Sequence, residues 1–232
     1  MTQRLFVPSL AVGRVELPPG QAHHARAVLR LASGAVVELF DAAGRHAAGT
    51  LEFTADSAFV AVAEVLEARP AEPLVVVAAI PKGERADLLA AKLAEVGATA
   101  WWPLLADRSV VKPGGANKLE RWRRLAVEAA KQCGRGDVMH IPEPLSLPDA
   151  LARAANEQHV MYVCTTERPA APLRAPPGPV AVFIGPEGGW TERELAACEQ
   201  AGATPCRLLE PVLRVETAAV VAAALVAAGR IG

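Results

Sequence analysis

Two turns near the C-terminus decide the fold: Phe183-Ile184-Gly185-Pro186-Glu187-Gly188-Gly189, and Leu208-Leu209-Glu210-Pro211-Val212-Leu213-Arg214-Val215-Glu216-Thr217-Ala218. Each turn follows a short apolar run and leads into a helical pattern. Turns at the carboxyl ends of neighbouring strands form a crevice, which is where open α/β sheets bind ligands. We therefore predict a cofactor site between these two turns.

The composition indicates a globular protein with a large core. The chain has 232 residues, 52% of them hydrophobic, which favours two domains and argues against long disorder. Its apolar runs are far shorter than the roughly 18–20 residues of a membrane span, and Met1-Thr2-Gln3-Arg4 carries no secretion signal. We expect a cytoplasmic protein that does not enter a membrane.

The cysteines and histidines do not suggest a metal site. The four cysteines lack a C-x-x-C pair, which favours reduced thiols over zinc or disulfides. His23 and His24 are adjacent on a predicted helix, so they point in different directions and make a poor metal pair. We expect no bound metal.

One segment is strongly basic although the net charge of the chain is only −1. Residues 112–135 contain seven Lys or Arg against two acids, a local balance of +5. A basic segment on a mildly acidic protein is typical of a polyanion-binding surface. A solvated helix face remains the alternative. The basic residues are Lys112, Lys118, Arg121, Arg123, Arg124, Lys131 and Arg135.

The hydrophobic pattern changes near residue 70. A small β-rich domain is predicted over 1–70, with strands Arg4–Val7, Ala35–Phe40, Ala47–Phe53 and Ala58–Leu66 and a helix over Gln21–Leu29. The segment Arg69-Pro70-Ala71-Glu72-Pro73 is a linker, because prolines interrupt strands and helices.

From residue 74 to 232 strands and helices alternate, which predicts an α/β domain with a mostly parallel sheet covered on both faces. The predicted strands are Leu74–Ile80, Ala98–Leu105, His159–Cys164, Val180–Ile184 and Cys206–Leu209. The predicted helices are Ala86–Val96, Ser146–Ala155, Val215–Ala228 and two that begin at the capping boxes Asn117-x-x-Glu120 and Thr191-x-x-Glu194.

The glycine turn is not a phosphate-binding loop, because it lacks both the P-loop lysine and the G-x-G-x-x-G spacing. Its glycines allow the backbone to approach a flat ligand closely. Glu187 would repel a phosphate and would suit a sulfonium or an ammonium group. Spacing alone leaves an ordinary glycine turn before a helix as the alternative.

The sequence resembles the bacterial 16S ribosomal RNA (uracil-N3)-methyltransferase family, in the SPOUT or α/β-knot class of enzymes that use S-adenosyl-L-methionine (SAM). The resemblance rests on Gly185-Pro186-Glu187-Gly188-Gly189 and on Val212-Leu213-Arg214-Val215-Glu216-Thr217-Ala218, with weaker matches at His24–Gly34 with Phe40-Asp41, Lys82–Gly97 and Trp122–Arg135. At Leu208-Leu209-Glu210-Pro211 the chain lacks the glycine and the extra arginine that are usual in the family.

The resemblance implies a PUA-like RNA-binding β-barrel over 1–70 and a trefoil-knot methyltransferase domain over 74–232. It also implies a homodimer in which the partner closes the active site. Helix Val215–Ala228 is either part of that interface or internal core. The implied SAM-binding residues are Cys164, Thr165, Ile184, Gly185, Glu187, Gly188, Gly189, Leu208, Leu209, Pro211, Leu213, Thr217 and Ala218.

The implied reaction is methylation of N3 of a specific uridine in 16S ribosomal RNA, a step of ribosome biogenesis on the small subunit. We expect Arg214 to stabilise charge on the uracil oxygens; a salt bridge to Glu216 is its alternative role. Either Glu216 or Glu187 would orient the cofactor or accept the proton. Phosphates would be held by Arg26, Arg30, Lys82, Arg85, Arg121, Arg124, Lys131, Gln132 and Arg135.

Three other functions remain compatible with the sequence. The first is a SPOUT enzyme with a different RNA target, such as a ribose 2′-hydroxyl. The second is a non-catalytic RNA-binding protein with the same fold. The third is an unrelated α/β enzyme that acts on small molecules, although the basic segment argues against it.

Overall fold

The structure is a computed structural model that describes residues 2–67, 71–110, 115–174 and 176–230. The described residues fall into two compact units, residues 2–67 with 130–138 and residues 71–129 with 139–230. The first residues of the predicted linker, Arg69-Pro70, lie outside the described ranges, as does Lys112 of the basic segment.

The first unit is built on a six-stranded mixed sheet. Its strands are β1 (Gln3–Phe6), β2 (Gly13–Glu16), β3 (Val36–Phe40), β4 (Arg45–Phe53), β5 (Ala58–Val62) and β6 (Leu66–Glu67). The sheet order is β1-β3-β4-β5-β2, and β6 pairs with β4. Strand β1 runs parallel to β3 and the other pairs are antiparallel. Alternating inward residues, such as Leu5, Val37 and Leu39, form its core.

The sequence-based prediction for this unit was incomplete. Strand β2 was missed, because it is short and largely exposed and therefore has no apolar signal. The predicted helix over Gln21–Leu29 is a short helix α1 (Pro19–His23) followed by a π-helical turn (His24–Val28). The predicted strand Ala58–Leu66 ends at Val62 as β5. Its last residue, Leu66, belongs to the separate strand β6, which pairs with β4.

The second unit is an α/β fold with a seven-stranded sheet in which every recorded pair is parallel. The strands are β7 (Leu74–Ala79), β8 (Ala100–Leu105), β9 (Leu145–Ser146), β10 (Val160–Cys164), β11 (Ala171–Pro172), β12 (Val180–Ile184) and β13 (Thr204–Arg207). Their order is β11-β13-β10-β12-β7-β8-β9. The helices are α2 (Arg85–Glu95), α3 (Ala116–Cys133), α4 (Leu147–Asn156), α5 (Glu192–Gln200) and α6 (Val215–Ala228).

Strand β7 lies in the interior of this sheet, between β12 and β8, and all six of its residues are buried. Such a continuous apolar run is required because a parallel sheet is covered on both faces. Helices α2 and α6 pack together, and α6 lies against β7 and β12. On the opposite face, Val75 and Val77 join a core that includes residues of α4 and α5. No described helix is long and apolar enough to cross a bilayer.

Two local predictions for this unit were wrong. The last strand is Thr204–Arg207 rather than Cys206–Leu209. The apolar pair Leu208-Leu209 resembles a strand in sequence, but it lines a cavity instead. Helix α3 begins at Ala116, so Asn117 lies in its first turn and does not cap it. The capping box at Thr191 and Glu194 is present, with both reciprocal hydrogen bonds.

Arg230 connects the end of α6 to the residues that directly precede strand β7. Its guanidinium donates to the carbonyls of Glu72 (2.8 Å), Pro73 (3.1 Å) and Gly178 (2.6 Å), and it pairs with the Glu72 carboxylate at 3.3 Å. Burial lowers the pKa of Arg230, although the Glu72 charge opposes this effect. One cation therefore joins the C-terminal helix to the segments that precede β7 and β12.

We expect Arg230→Ala to lower the free energy of unfolding by about 2–3 kcal/mol, because carbonyls that bond a cation lose their donor. Arg193→Ala is the control, since its ion pair with Asp107 is 82% exposed on the arginine side and should contribute less than about 1 kcal/mol. All four tryptophans belong to the second unit, so urea unfolding followed by tryptophan fluorescence reports on it. Equal losses in the two variants would contradict the prediction.

Candidate cofactor and active site

A cavity of about 310 Å³ lies at the carboxyl ends of three strands of the second unit. Strand β10 stands between β12 and β13, so Cys164 pairs with both Ile184 and Cys206. The predicted turns therefore follow strands that are separated by one strand rather than directly adjacent. Both turns line the cavity, and its size is in the range of small-molecule sites.

The structure brings together all but one of the predicted SAM-binding residues. Thr217 is exposed on α6 and is not part of the cavity lining. The lining includes the other twelve: Cys164, Thr165, Ile184, Gly185, Glu187, Gly188, Gly189, Leu208, Leu209, Pro211, Leu213 and Ala218.

Trp190 fixes the shape of the glycine turn. It is 97% buried, since its exposed fraction is 3%, and its indole N–H donates to the Cys164 carbonyl at 2.9 Å. A Cβ atom on Gly185 would lie 2.7 Å from the indole ring. Gly185 is therefore required because the backbone and the tryptophan ring are in direct contact.

Arg108 bonds to the glycine turn, and Glu167 lies against it. Arg108 donates to the carbonyls of Gly188 (2.9 Å) and Trp190 (3.2 Å). One oxygen of Glu167 accepts hydrogen bonds from the Thr165 hydroxyl (2.7 Å) and from a backbone N–H (3.2 Å). A Cβ atom on Gly189, where φ is 72°, would lie 2.3 Å from the other oxygen of Glu167.

The Glu167 carboxylate is held in its charged form. Partial burial acts to raise the pKa of Glu167, but hydrogen bonds from Thr165 and from the backbone, together with the Arg108 charge, lower it on balance. A carboxylate at the cavity wall favours a ligand that carries positive charge or hydroxyl donors.

Two thiols lie side by side at the cavity floor. The sulfurs of Cys164 and Cys206 are 3.5 Å apart. The hydrogen bond with Cys206 and burial raise the pKa of Cys164, so we expect the Cys164 thiol to be neutral near pH 7. Neutral sulfur atoms add a soft, uncharged surface that suits an aromatic ligand.

Arg85 joins the glycine turn to helix α6. Its guanidinium lies 2.6 Å from a Glu187 oxygen and 3.6 Å from a Glu216 oxygen. The hydrogen bond to Glu187 raises the pKa of Arg85. The second oxygen of Glu216 is buried and has no hydrogen-bond partner among the described residues.

The predicted catalytic residues Arg214 and Glu216 differ in exposure. Arg214 occupies the N-cap position of α6 and is exposed. Glu216 is 7% exposed and its recorded ion pair is with Arg85. The alternative of an Arg214–Glu216 salt bridge is therefore wrong for the described residues, because Arg85 from α2 takes that position.

The predicted RNA-binding residues have different environments. Arg121 pairs with Asp87 at 2.7 Å, and Arg135 pairs with Asp137 at 2.8 Å. Arg26 donates to the Thr54 carbonyl at 2.8 Å. Exposed positions are held by Arg26, Arg30, Lys82, Arg121, Arg124 and Gln132, whereas Arg85, Lys131 and Arg135 are partly buried. Within the described part of the chain, no cluster of three His, Cys, Asp or Glu side chains could hold a metal.

Sequence reasoning missed Trp190, Arg108 and Glu167. Trp190 directly follows the glycine turn, and this position in the sequence could have indicated that it packs against the turn. Arg108 reaches Gly188 from 80 residues away in the chain, and no local pattern reports such a contact.

Comparison with known proteins first gives the class. The family model for the RNA methyltransferase domain matches residues 68–227. A Legionella pneumophila protein solved with bound SAM is 30% identical, with a TM-score of 0.82 over 97% of this chain and 96% of that one. A Neisseria gonorrhoeae ribosomal RNA small subunit methyltransferase E bound to S-adenosyl methionine is 28% identical, with a TM-score of 0.84 over the same shares.

Sequence relatives then give the particular family. Ribosomal RNA small subunit methyltransferase E of Synechocystis is 32% identical over 97% of this chain and 77% of its own length. The protein of the same name from Mycobacterium tuberculosis is 34% identical over 87% of this chain and 81% of its own length. The chain belongs to this family of small-subunit ribosomal RNA methyltransferases.

We expect Gly185→Ala to lower the free energy of unfolding by about 1–3 kcal/mol, because the new methyl group overlaps the Trp190 ring. The tryptophan emission should shift as Trp190 moves. Gly229→Ala is the matched control, since its Cβ would meet only ordinary contacts of 3.5 Å. An unchanged midpoint of urea unfolding for Gly185→Ala would show that Trp190 does not constrain the turn.

Proposed function

We propose that the protein is a SAM-dependent methyltransferase that methylates N3 of a uridine in 16S ribosomal RNA. The observation that carries the proposal is the cavity that the glycine turn (183–189) and the second turn (208–218, the arginine turn) both line. Membership of the family and the SAM-bound relatives support it.

The residues present fit SAM. Ile184, Leu208 and Leu213 supply an apolar surface for the adenine, and the glycine turn allows its edge to approach the backbone. Glu167 and Glu187 bring negative charge to the same cavity, which suits the sulfonium and ammonium groups. SAM supplies an electrophilic methyl group when bound.

The acceptor must leave its stacked position to react. N3 of uracil lies in the pairing edge of the base, so the base has to be turned out of the RNA. N3 also carries a proton, and its removal leaves negative charge on the ring oxygens. Arg214 is exposed at the end of the arginine turn and has no side-chain partner among the described residues, so it is suited to stabilise that charge.

The finer architecture is also part of the proposal. Strand order β13-β10-β12-β7, in which a strand is inserted between later ones, supports a trefoil knot in the domain over 74–232. The mixed sheet of the first unit supports a PUA-like RNA-binding barrel over 1–70.

Phosphate contacts would come from the exposed basic residues. Arg124 and Lys82 are exposed in the second unit, and Arg30 is exposed in the first. Such contacts give salt-dependent affinity with little reading of sequence. A ribosomal substrate places the enzyme in the cytoplasm.

We also infer a homodimer through helix α6. Most of its residues are apolar, and apolar side chains are found around the whole helix. Some of them are therefore exposed in a single chain, and Leu225 is 41% exposed. Ala218, Val221, Leu225 and Ala228 lie three or four residues apart and form an apolar stripe that is only partly covered in one chain. We propose that a second copy of the chain covers this stripe. Because Ala218 also lines the cavity, the second copy would close the site.

The decisive experiment for function is Arg214→Ala. We expect loss of methylation of 16S RNA, by at least about a hundredfold in kcat, with SAM binding retained because Arg214 does not line the cavity. Mass spectrometry of digested RNA gives the product and its position, and calorimetry gives SAM binding. Retained methylation would remove Arg214 from the mechanism, and absence of SAM binding by the unaltered protein would refute the function.

Leu225→Glu tests the dimer. A buried charge at an apolar interface is unfavourable, so we expect sedimentation to give the mass of one chain for this variant and of two chains for the unaltered protein. Val12→Glu is the control, because Val12 is 66% exposed and lies outside α6. A single-chain mass for the unaltered protein at micromolar concentration would contradict the inference.

A further inference from the structure

The ion pairs around Arg85 separate the roles of the two candidate carboxylates. Glu187 and Glu216 come from the two different turns and share one guanidinium. They are not equivalent, because the Glu187 side chain is 41% exposed and the Glu216 side chain is 9% exposed. Glu187 also lines the cavity, whereas Glu216 is absent from its lining.

We propose that Glu187 is the carboxylate that accepts the N3 proton, and that Arg85 and Glu216 are positioning residues behind it. This inference rests on the proposed function and assigns the residues of the same site. It also gives Arg85 a role other than phosphate binding.

Accessibility excludes a direct role for Glu216. Both the shared oxygen and the unpartnered oxygen belong to a side chain that is almost fully enclosed. A base must reach within hydrogen-bond distance of the proton it removes. Glu187 is accessible from the site, since it lines both the cavity and a small neighbouring cleft that Lys82 and Val215 also line.

The position of Arg85 explains how Glu187 keeps its orientation. The Glu187 side chain is 41% exposed, and a single ion pair to an exposed arginine would be weak. Arg85 is anchored at the N-terminus of α2 and faces the buried charge of Glu216 on α6. A buried carboxylate whose recorded partner is Arg85 holds the guanidinium in place, and the guanidinium in turn holds Glu187.

The chemical step is balanced with the groups named. The Glu187 carboxylate takes the proton from N3, and the nitrogen electron pair forms the N–C bond to the methyl group. The C–S bond breaks and its electron pair remains on sulfur, which gives S-adenosylhomocysteine. The carboxylic acid then releases its proton to water.

The experiment compares Glu187→Gln, Glu216→Gln, Arg85→Gln, Arg85→Lys and the double variant Arg85→Gln/Glu216→Gln. Lys92→Gln is the control, because it breaks an ion pair with Glu95 on the same helix α2. The assay is methylation of 16S RNA, with kcat and KM measured over a range of salt concentrations. Urea unfolding followed by tryptophan fluorescence shows that each variant is folded.

We expect Glu187→Gln to reduce kcat by about a hundredfold or more. Arg85→Gln and Glu216→Gln should each reduce it about tenfold, the double variant no further than the worse single variant, and Arg85→Lys should restore part of the loss.

Other results would overturn the inference. A larger loss in Glu216→Gln than in Glu187→Gln would reverse the two roles. A higher KM for RNA in Arg85→Gln, with unchanged kcat and a weaker dependence on salt, would make Arg85 a phosphate contact. If the kcat losses of the two single variants multiply in the double variant, Arg85 and Glu216 act independently of each other. If the unaltered protein binds SAM but methylates no RNA, the proposed function itself fails.

Discussion

The site depends on the position of β10 between β12 and β13. Because Cys164 pairs with Ile184 on one side and with Cys206 on the other, three strands end at the same level of the sheet. The loops that follow these strands therefore lie at the same edge of the sheet, and the cavity is the space that they enclose. Sheet order thus brings together residues that are far apart in sequence.

The walls of this cavity are held by polar contacts rather than by a deep apolar core. Trp190 ties the glycine turn to the end of β10 through the Cys164 carbonyl, and Arg108 holds two carbonyls of the same turn. Arg168, in the loop after β10, pairs with Glu192 at 2.7 Å and also with Glu199, both on α5. The glycine turn and the loop after β10 are therefore each fixed to other parts of the unit, which preserves the shape of the cavity without filling it.

The main features of the second unit follow from local sequence patterns. The apolar run from Leu74 predicts a strand buried on both faces, and Thr191 and Glu194 predict the start of α5, because both signals depend on neighbouring residues alone. Helix α6 has the predicted bounds. The sheet order was not predictable in this way, since β10 reaches its position only through pairing with distant strands.

The errors have physical causes. Leu208 and Leu209 were assigned to a strand because their apolar side chains look like core, but they face the cavity. The role of Arg85 at a phosphate stays a prediction, but local sequence could not indicate its two carboxylate partners, because both come from later in the chain. Glu187 and Glu216 are indistinguishable in sequence, and their difference arises from burial.

Helix α6 and Arg230 also determine when the second unit can be completed. Strand β7 is the first strand of this unit to be synthesised, whereas the helix that covers it and the arginine that anchors that helix are synthesised after the other elements of the unit. Until then an apolar face of β7 has no cover, and such a surface is prone to aggregation. Closure of the unit therefore cannot precede the synthesis of α6, and ribosomal pausing before this helix would prolong the vulnerable state.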